Sequence, residues 1–196
     1  MAGRFEIYGD PISGNCLKVK YTADFLGCDY QWIDVDITAG DSRTPEFLAL
    51  NRFGQVPCVR FESGETLAQS NAIIFYLGEA SELVPAGPIA RAKVLEWMFW
   101  EQYSHEPYIA VCRFQCLYLK TPVEDLDPVK VEKGNSALAV METWLADHAF
   151  FVGNSLSVAD IALFPYSRMA EDGGFDLSAY PHLSRWLERV QSSLCL

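Results

Sequence analysis

The sequence predicts an α/β domain followed by an all-helical domain, and three observations support this prediction. Strand and helix patterns alternate as far as residue 77. Residues 80–88 are punctuated by Ser, Pro and Gly, as in a linker. Beyond this stretch, apolar residues recur at helical spacing and strand signals stop. We therefore assign residues 1–79 to the α/β domain, 80–88 to a linker and 89–196 to the all-helical C-terminal domain.

The first half of the α/β domain reads as a strand, a helix and a second strand. Residues 5–8 alternate briefly between polar and apolar side chains, as a short strand does. Residues 16–26 carry the apolar positions of a helix that ends at Gly27. Residues 30–35 form the second strand. Since the crossover between the strands is this short, it predicts a right-handed parallel pair.

The second half of this domain predicts a short helix, a hairpin and a further helix. Thr44 is a suitable N-cap, and the proline after it suits the first turn of the short helix. The hairpin strands cover residues 56–61 and 66–67, and a buried helix follows over 71–77. The predicted domain is a βαβ unit joined to a ββα unit, which gives a mixed sheet.

The C-terminal domain is predicted to consist of helices. A long aromatic-rich helix covers residues 90–119 and is bent or interrupted at Pro107, and further helices cover 129–148 and 181–190. Ser157-Val158-Ala159-Asp160 has the spacing of a capping box, in which the serine hydroxyl and the aspartate carboxylate each bond the other's main-chain N–H. Such a box stabilises the start of a helix.

Composition narrows the classes of partner. With 196 residues, half of them hydrophobic, the chain can build two modest cores. A net charge of -11 argues against nucleic acid and anionic membranes as partners, because both require clustered Lys and Arg. The six cysteines form no CxxC pair, and neither a secretory signal nor an apolar run of transmembrane length is present. These features predict a cytoplasmic protein with no metal site.

Residues 51–71 have the features of a binding site for a peptide-like anion. Val56 precedes Pro57 where a strand begins. Such a proline marks either the start of an edge strand or a cis turn that holds the Val56 N–H and C=O outward. Gln69 and Ser70 precede the third helix, with Ser70 as its expected N-cap. Free N–H groups beside a hydroxyl provide a carboxylate site.

These motifs occur in an order that resembles the cytosolic glutathione transferase superfamily over essentially the whole chain. The resemblance rests on Tyr8-Gly9-Asp10-Pro11-Ile12-Ser13-Gly14-Asn15-Cys16, on Val56-Pro57 and on Gln69-Ser70. It is strongest to bacterial, serine- or asparagine-type members that are similar to the theta and nu-like classes. It implies a thioredoxin-like N-terminal domain, a homodimer, and glutathione as co-substrate with no other cofactor.

The reaction implied by the resemblance is attack by the glutathione thiolate on a small hydrophobic electrophile, a hydroperoxide or a disulfide. A free thiol has a pKa of about 8.5, so the enzyme must stabilise the thiolate. We expect Ser13, just before the first helix, to donate to the sulfur, with Asn15 assisting. The alternative role for Ser13 is that of an N-cap of the first helix, without a part in catalysis. Tyr8 corresponds to the residue that donates to the sulfur in other classes, and its alternative role is packing. Cys16 either forms a mixed disulfide with glutathione or is a buried, unreactive thiol.

For binding, the resemblance assigns the γ-glutamyl group to Gln69 and Ser70. The Val56 main chain, held by Pro57, pairs with the cysteinyl residue as in strand addition. Gln55 stands where many members have Lys, which removes a positive charge from the site for the glycine carboxylate. Three other cations are candidates to replace that charge, namely Arg52, Arg43 and Lys18.

The second substrate is expected to lie against the long aromatic helix. The candidate contact residues are Tyr103, His105, Tyr108 and Arg113, although aromatic side chains at helical spacing also suit a protein core. A non-catalytic transferase-like module that binds apolar ligands or a protein partner is the alternative function. Ser13, Val56-Pro57 and Gln69-Ser70 favour the enzyme, and the missing Lys favours the alternative.

Overall fold

The computed structural model describes residues 3–196, and the chain divides into two compact units, the first ending at Val84 and the second beginning at Pro85. The first unit is the mixed α/β domain that the sequence predicts. Its strands are β1 (Phe5–Gly9), β2 (Tyr30–Asp34), β3 (Cys58–Phe61) and β4 (Thr66–Ala68). Its helices are α1 (Gly14–Phe25), α2 (Pro45–Leu50) and α3 (Ser70–Gly78).

The four strands form one sheet in the order β2-β1-β3-β4. β1 is parallel to β2 and antiparallel to β3, and β3 is antiparallel to β4. In this register Tyr8, near the end of β1, lies opposite Cys58 at the start of β3, and Cys58 lies opposite Ala68 at the end of β4. The end of β1, the start of β3 and the end of β4 therefore meet at one edge of the sheet.

Helices cover both faces of this sheet. Along β1, Phe5, Ile7 and Gly9 are buried on the face that receives α1, which packs beside α3. Gly9 permits a close approach, since a Cβ there would lie 2.7 Å from the Trp32 ring and 3.2 Å from the Cys16 Cβ. A second cluster contains α2 and consists of Val35, Phe47 and Cys58, with Tyr8, Leu50 and Val56 packed against it.

The second unit consists of helices. They are α4 (Pro88–Trp100), α5 (Glu106–Leu117), α6 (Pro128–Leu145), α7 (Val158–Arg168) and α8 (Pro181–Ser193). A π-helical segment, Glu101–His105, joins α4 to α5. The interruption predicted at Pro107 thus lies a few residues earlier, and Pro107 occupies the first turn of α5. This position suits proline, because the N–H that it lacks has no intrahelical partner in a first turn.

Helix α7 forms the centre of this unit, since every residue from 158 to 167 is buried. The predicted capping box is confirmed at Ser157 and Asp160, and the Ser157 N–H donates to Asp160 Oδ2 at 3.0 Å. The Asp160 carboxylate also accepts bonds from the Phe151 N–H and the Trp186 Nε1–H, each at 3.0 Å. Asp160 therefore joins the start of α7 to α8 and to the segment before α7.

Residues 3–196 include no helix that is both long and apolar enough to cross a lipid bilayer. In the same part of the chain, no three His, Cys, Asp or Glu side chains are grouped so as to bind a metal ion. All six cysteines are free thiols.

Candidate active site

Sheet topology brings the predicted glutathione-binding segments of the first unit together. Helix α1 follows the end of β1 and carries Ser13 and Asn15 at its start. Val56 and Pro57 precede β3, and Ser70 begins α3 just after β4. Since these strand ends share one edge of the sheet, the three segments meet there. Two helix N-termini, with their partial positive charge, lie at this edge.

Ser13 is at the N-cap position of α1, with an extended backbone, but its side chain makes no capping hydrogen bond. Its main-chain N–H donates to the Asp10 C=O at 3.1 Å, and its C=O accepts from the Leu17 N–H at 2.9 Å. The hydroxyl instead bonds to the Cys16 thiol. The main chain thus starts the helix without the Ser13 side chain, and the half-buried hydroxyl is bonded to a weak acceptor.

Cys16 is fully buried beneath the turn that contains Ser13. Its Sγ accepts from the Asp10 N–H at 3.3 Å. Burial raises the pKa of this thiol to about 12, against the opposing effect of hydrogen bonds from Ser13 and Asp10. Because the thiolate is the reactive form, Cys16 is an inert thiol at neutral pH.

The Tyr8 hydroxyl has a partner within the domain. It donates to Glu6 Oε2 at 2.8 Å, and the same oxygen lies 2.6 Å from Arg60 Nη2. The Tyr8 ring packs edge-on against Phe47, with centroids 6.4 Å apart. Burial, together with the Glu6 carboxylate, raises the pKa of Tyr8. These contacts agree with a packing role for Tyr8.

The Val56–Pro57 peptide bond is cis, which matches the second of the two alternatives predicted for this proline. β3 begins at Cys58, two residues later than expected, so Val56 lies outside the sheet ladder. Within residues 3–196, neither the N–H nor the C=O of Val56 has a hydrogen-bond partner. Both groups are therefore available to pair with the main chain of a peptide.

The loop before this proline is fixed by Asn51, to which the sequence analysis assigned no role. Asn51 is buried, and its Nδ2 donates to the Gln55 C=O at 2.6 Å. Its Oδ1 accepts from the Phe53 N–H at 3.1 Å, and its C=O accepts from the Gly54 N–H at 2.9 Å. A polar residue just before a turn containing Gly54 is the signal that could have identified this role.

The segment before α3 departs from the prediction by one residue. Ser70 is the first residue of α3, and Gln69 takes the N-cap position that we had assigned to Ser70. Gln69 has a φ of 71°, and non-glycine residues with such backbones cluster at functional sites. The Ser70 hydroxyl, only 5% exposed, donates to Asn15 Oδ1 at 2.9 Å. This bond links the starts of α3 and α1.

The side chains suggested for the glycine carboxylate lie in different environments. Lys18 is fully buried in α1. Arg43 donates from Nη1 to the Phe53 C=O at 3.3 Å. Gln55 and Arg52 have exposed side chains, and the Arg52 guanidinium carbon lies 4.8 Å from the centre of the Phe53 ring. Arg43, Gln55 and Arg52 are therefore at the surface, and of these the Arg43 guanidinium is already bonded to the loop before the cis proline.

Two of the residues suggested for the second substrate have accessible rings. Tyr103, in the π-helical segment, is 82% exposed. Tyr108, in α5, is half-buried, and its ring lies 5.3 Å from Lys133 Nζ. The structure thus leaves both rings within reach of a small molecule.

The other two, His105 and Arg113, are buried and bonded within the helical unit. His105 Nε2 lies 2.9 Å from Ser167 Oγ, and that hydroxyl donates to the Leu163 C=O at 2.8 Å. Arg113 Nε lies 2.9 Å from Asp172 Oδ2. These contacts give both residues a structural role.

Comparison with known proteins agrees with this geometry. Residues 12–80 match the family described as "Glutathione S-transferase, N-terminal domain", and residues 97–193 match "Glutathione S-transferase, C-terminal domain". A curated relative, glutathione S-transferase 3 from Zea mays, is 32% identical over 94% of this chain and 88% of its own length.

Solved structures give the same result. The glutathione S-transferase from Pseudomonas fluorescens is 46% identical, with a TM-score of 0.93 over 96% of this chain and 94% of that one. The glutathione S-transferase from Xanthobacter autotrophicus is 39% identical, with a TM-score of 0.91 over 96% and 93% of the two chains. The chain therefore belongs to the glutathione transferase superfamily, with a thioredoxin-like N-terminal domain, a helical C-terminal domain and the transferase activity of that family.

Proposed function

We propose that this transferase holds glutathione at the sheet edge formed by the starts of α1, β3 and α3, and activates its thiol there. The observation that carries this proposal is the convergence of Ser13, the Val56–Pro57 cis peptide and Gln69-Ser70 at that edge. Each segment suits a different part of one extended tripeptide.

The cysteinyl residue of glutathione pairs with Val56. A peptide main chain beside Val56 can bond to the Val56 N–H and C=O, which have no partner within residues 3–196. This pairing fixes the position of the glutathione sulfur along the edge. The glycine carboxylate then extends toward Gln55 and Arg52, whose exposed side chains supply hydrogen-bond donors.

The γ-glutamyl group binds at Gln69 and Ser70. Its carboxylate is attracted by the N–H groups and partial positive charge at the start of α3. The positive φ of Gln69 directs the chain into this helix start. The main-chain donors are therefore held in place before the ligand arrives, which lowers the cost of binding.

Ser13 stabilises the thiolate. Its hydroxyl is bonded to the neutral Cys16 thiol, and a bound thiolate is a stronger acceptor that draws the hydroxyl to itself. The N-terminus of α1 adds its partial positive charge. Each unit by which the thiol pKa falls corresponds to 1.36 kcal/mol. Asn15 is the second candidate at this end of α1.

The thiolate then attacks a small hydrophobic electrophile, a hydroperoxide or a disulfide. These reactions share the glutathione sulfur as nucleophile and differ in the atom attacked. Tyr103 and Tyr108 are our candidates to contact the second substrate, because their rings are accessible. His105 and Arg113 are left out of this set because they are buried and bonded elsewhere. Glutathione is the co-substrate, and the chemistry needs no other cofactor.

We further propose a cytoplasmic homodimer. Two large apolar side chains of α4, Ile89 and Phe99, are at least 70% exposed. Surfaces of this kind are typical of protein interfaces. Sedimentation at several protein concentrations tests the dimer, and a monomer at all of them would contradict it.

Retention on immobilised glutathione tests the proposed function. We expect the protein to bind the resin and to elute with free glutathione, but not with the dipeptide Cys-Gly, which lacks the γ-glutamyl group. Eluted protein is then assayed with a chlorinated nitroaromatic compound, an organic hydroperoxide and a small disulfide. A protein that passes through the column, or elutes with salt alone, would contradict the proposal.

A further inference from the structure

We infer that Asn15 is a positioning residue for the γ-glutamyl end of glutathione, acting through Ser70 rather than through the sulfur. This inference rests on the proposed function, because it concerns the same glutathione site. It assigns Asn15 to binding, whereas its place near Ser13 at the start of α1 suggested help in thiol activation.

The inference starts from one hydrogen bond. Ser70 Oγ donates to Asn15 Oδ1 at 2.9 Å, although the two residues are 55 positions apart in sequence. Ser70 is 5% exposed, and a buried hydroxyl of this kind requires a partner. The bond forms because α1 and α3 both start at the same sheet edge and pack side by side.

The bond fixes where the Ser70 side chain lies. It holds the buried Ser70 Oγ at the start of α3, beside the main-chain N–H groups that can donate to a carboxylate. A bound carboxylate accepts from those N–H groups and from the Ser70 hydroxyl, whose hydrogen rotates toward the stronger acceptor. The γ-glutamyl end of glutathione carries such a carboxylate, and Asn15 keeps Ser70 in position for it before the ligand binds.

This geometry also separates two roles for Asn15. A donor to the sulfur would lower the thiol pKa, so its loss would move the pH–rate profile upward. A residue that orients Ser70 affects the affinity for glutathione and leaves the pH midpoint unchanged. The oxygen of Asn15 faces Ser70, at the γ-glutamyl end of the proposed site.

The test is a double-mutant cycle on glutathione binding, measured by calorimetric titration. Ser70→Ala should weaken binding about tenfold, as expected when a hydrogen bond to a charged ligand group is lost. Asn15→Ala should weaken binding several-fold. Because Asn15 acts through Ser70, the double variant should match Ser70→Ala alone within about twofold. Asn135→Ala is the matched control, since the side chain of this half-buried helical asparagine donates to the Val131 C=O of its own helix, at 3.0 Å.

Steady-state kinetics supply the second readout. Asn15→Ala should raise KM for glutathione while the pH midpoint of the kcat profile stays at the wild-type value. If Asn15→Ala does not fold, judged by its melting curve, Asn15→Gln replaces it with the same expected pattern. Additive losses in the cycle, or an upward shift of the pH midpoint, would overturn the inference. A wild-type protein that does not bind glutathione overturns the proposed function itself, and the inference with it.

Discussion

Replacing Asp160 by alanine should destabilise the helical domain far more than the loss of an ordinary helix cap. The Asp160 carboxylate is fully buried and accepts four hydrogen bonds. Two come from the N–H and hydroxyl of Ser157, at 3.0 and 2.7 Å, and the others come from Phe151 and Trp186. Burial raises the pKa of this carboxyl, while the four donors oppose the shift by stabilising its anion.

The magnitude follows from the donors that alanine leaves behind. The N–H groups of Phe151, Ser157 and Trp186 lose their acceptor, and all three residues are at most 2% exposed. A buried donor without a partner costs about 1–3 kcal/mol. Removing a buried carboxylate offsets part of this cost. We expect a loss of roughly 3–5 kcal/mol for Asp160→Ala, and about 1 kcal/mol for Ser157→Ala, which removes only the hydroxyl.

Urea unfolding followed by tryptophan fluorescence measures both variants. For a protein of this size, 1 kcal/mol corresponds to roughly 2–4 °C in Tm, so thermal melts provide a second comparison. The folded fraction of Asp160→Ala should keep wild-type affinity for glutathione, because Asp160 belongs to the helical unit whereas the proposed glutathione site lies in the first unit. If Asp160→Ala and Ser157→Ala lose the same free energy of unfolding, the bonds to Phe151 and Trp186 contribute nothing and the reasoning is wrong.

Two further predictions concern cysteine reactivity and packing. Cys16 is fully buried, and its thiol pKa is raised to about 12. Iodoacetamide at pH 8 should therefore label the exposed Cys195 and leave Cys16 unmodified until urea unfolds the chain. Alkylated or glutathionylated Cys16 in mass spectra of the native protein would contradict this prediction. Gly134→Ala should lower the free energy of unfolding by about 1–2 kcal/mol despite the better helix propensity of alanine, because a Cβ there would clash with the buried Phe175 ring. A raised urea midpoint would show that the ring can move.

Local sequence patterns were sufficient to predict the order of elements in the first unit. Alternation over residues 5–8 and helical spacing over 16–26 depend on neighbours in the chain, as do the turn residues between them. The capping box is local too, since Ser157 and Asp160 are three residues apart. Once the strand order is known, the convergence of the three segments predicted to bind glutathione follows from the topology of the sheet.

Features that depend on distant partners could not be predicted in this way. The Ser70–Asn15 hydrogen bond joins residues that are 55 positions apart in sequence, and no local sequence pattern near either residue predicts it. The shift of Ser70 from N-cap to first helical residue depends on the positive φ of Gln69, which glutamine rarely adopts. Likewise, the sequence suggests His105 as a substrate contact, whereas the structure packs its side chain against Ser167, which is 62 residues away in sequence.

The pKa of the glutathione thiol bound to the enzyme tests the central claim most directly. Thiolate absorbance in the ultraviolet, followed against pH, gives this value for the wild type, Ser13→Ala and Tyr8→Phe. If Ser13 stabilises the thiolate, the wild-type complex should have a thiol pKa well below the usual value of about 8.5. Ser13→Ala should raise it by about 2 units and cut turnover by about 10²-fold, while Tyr8→Phe stays close to the wild type. A thiol pKa that rises in Tyr8→Phe but not in Ser13→Ala would contradict the account and make Tyr8 the catalytic donor.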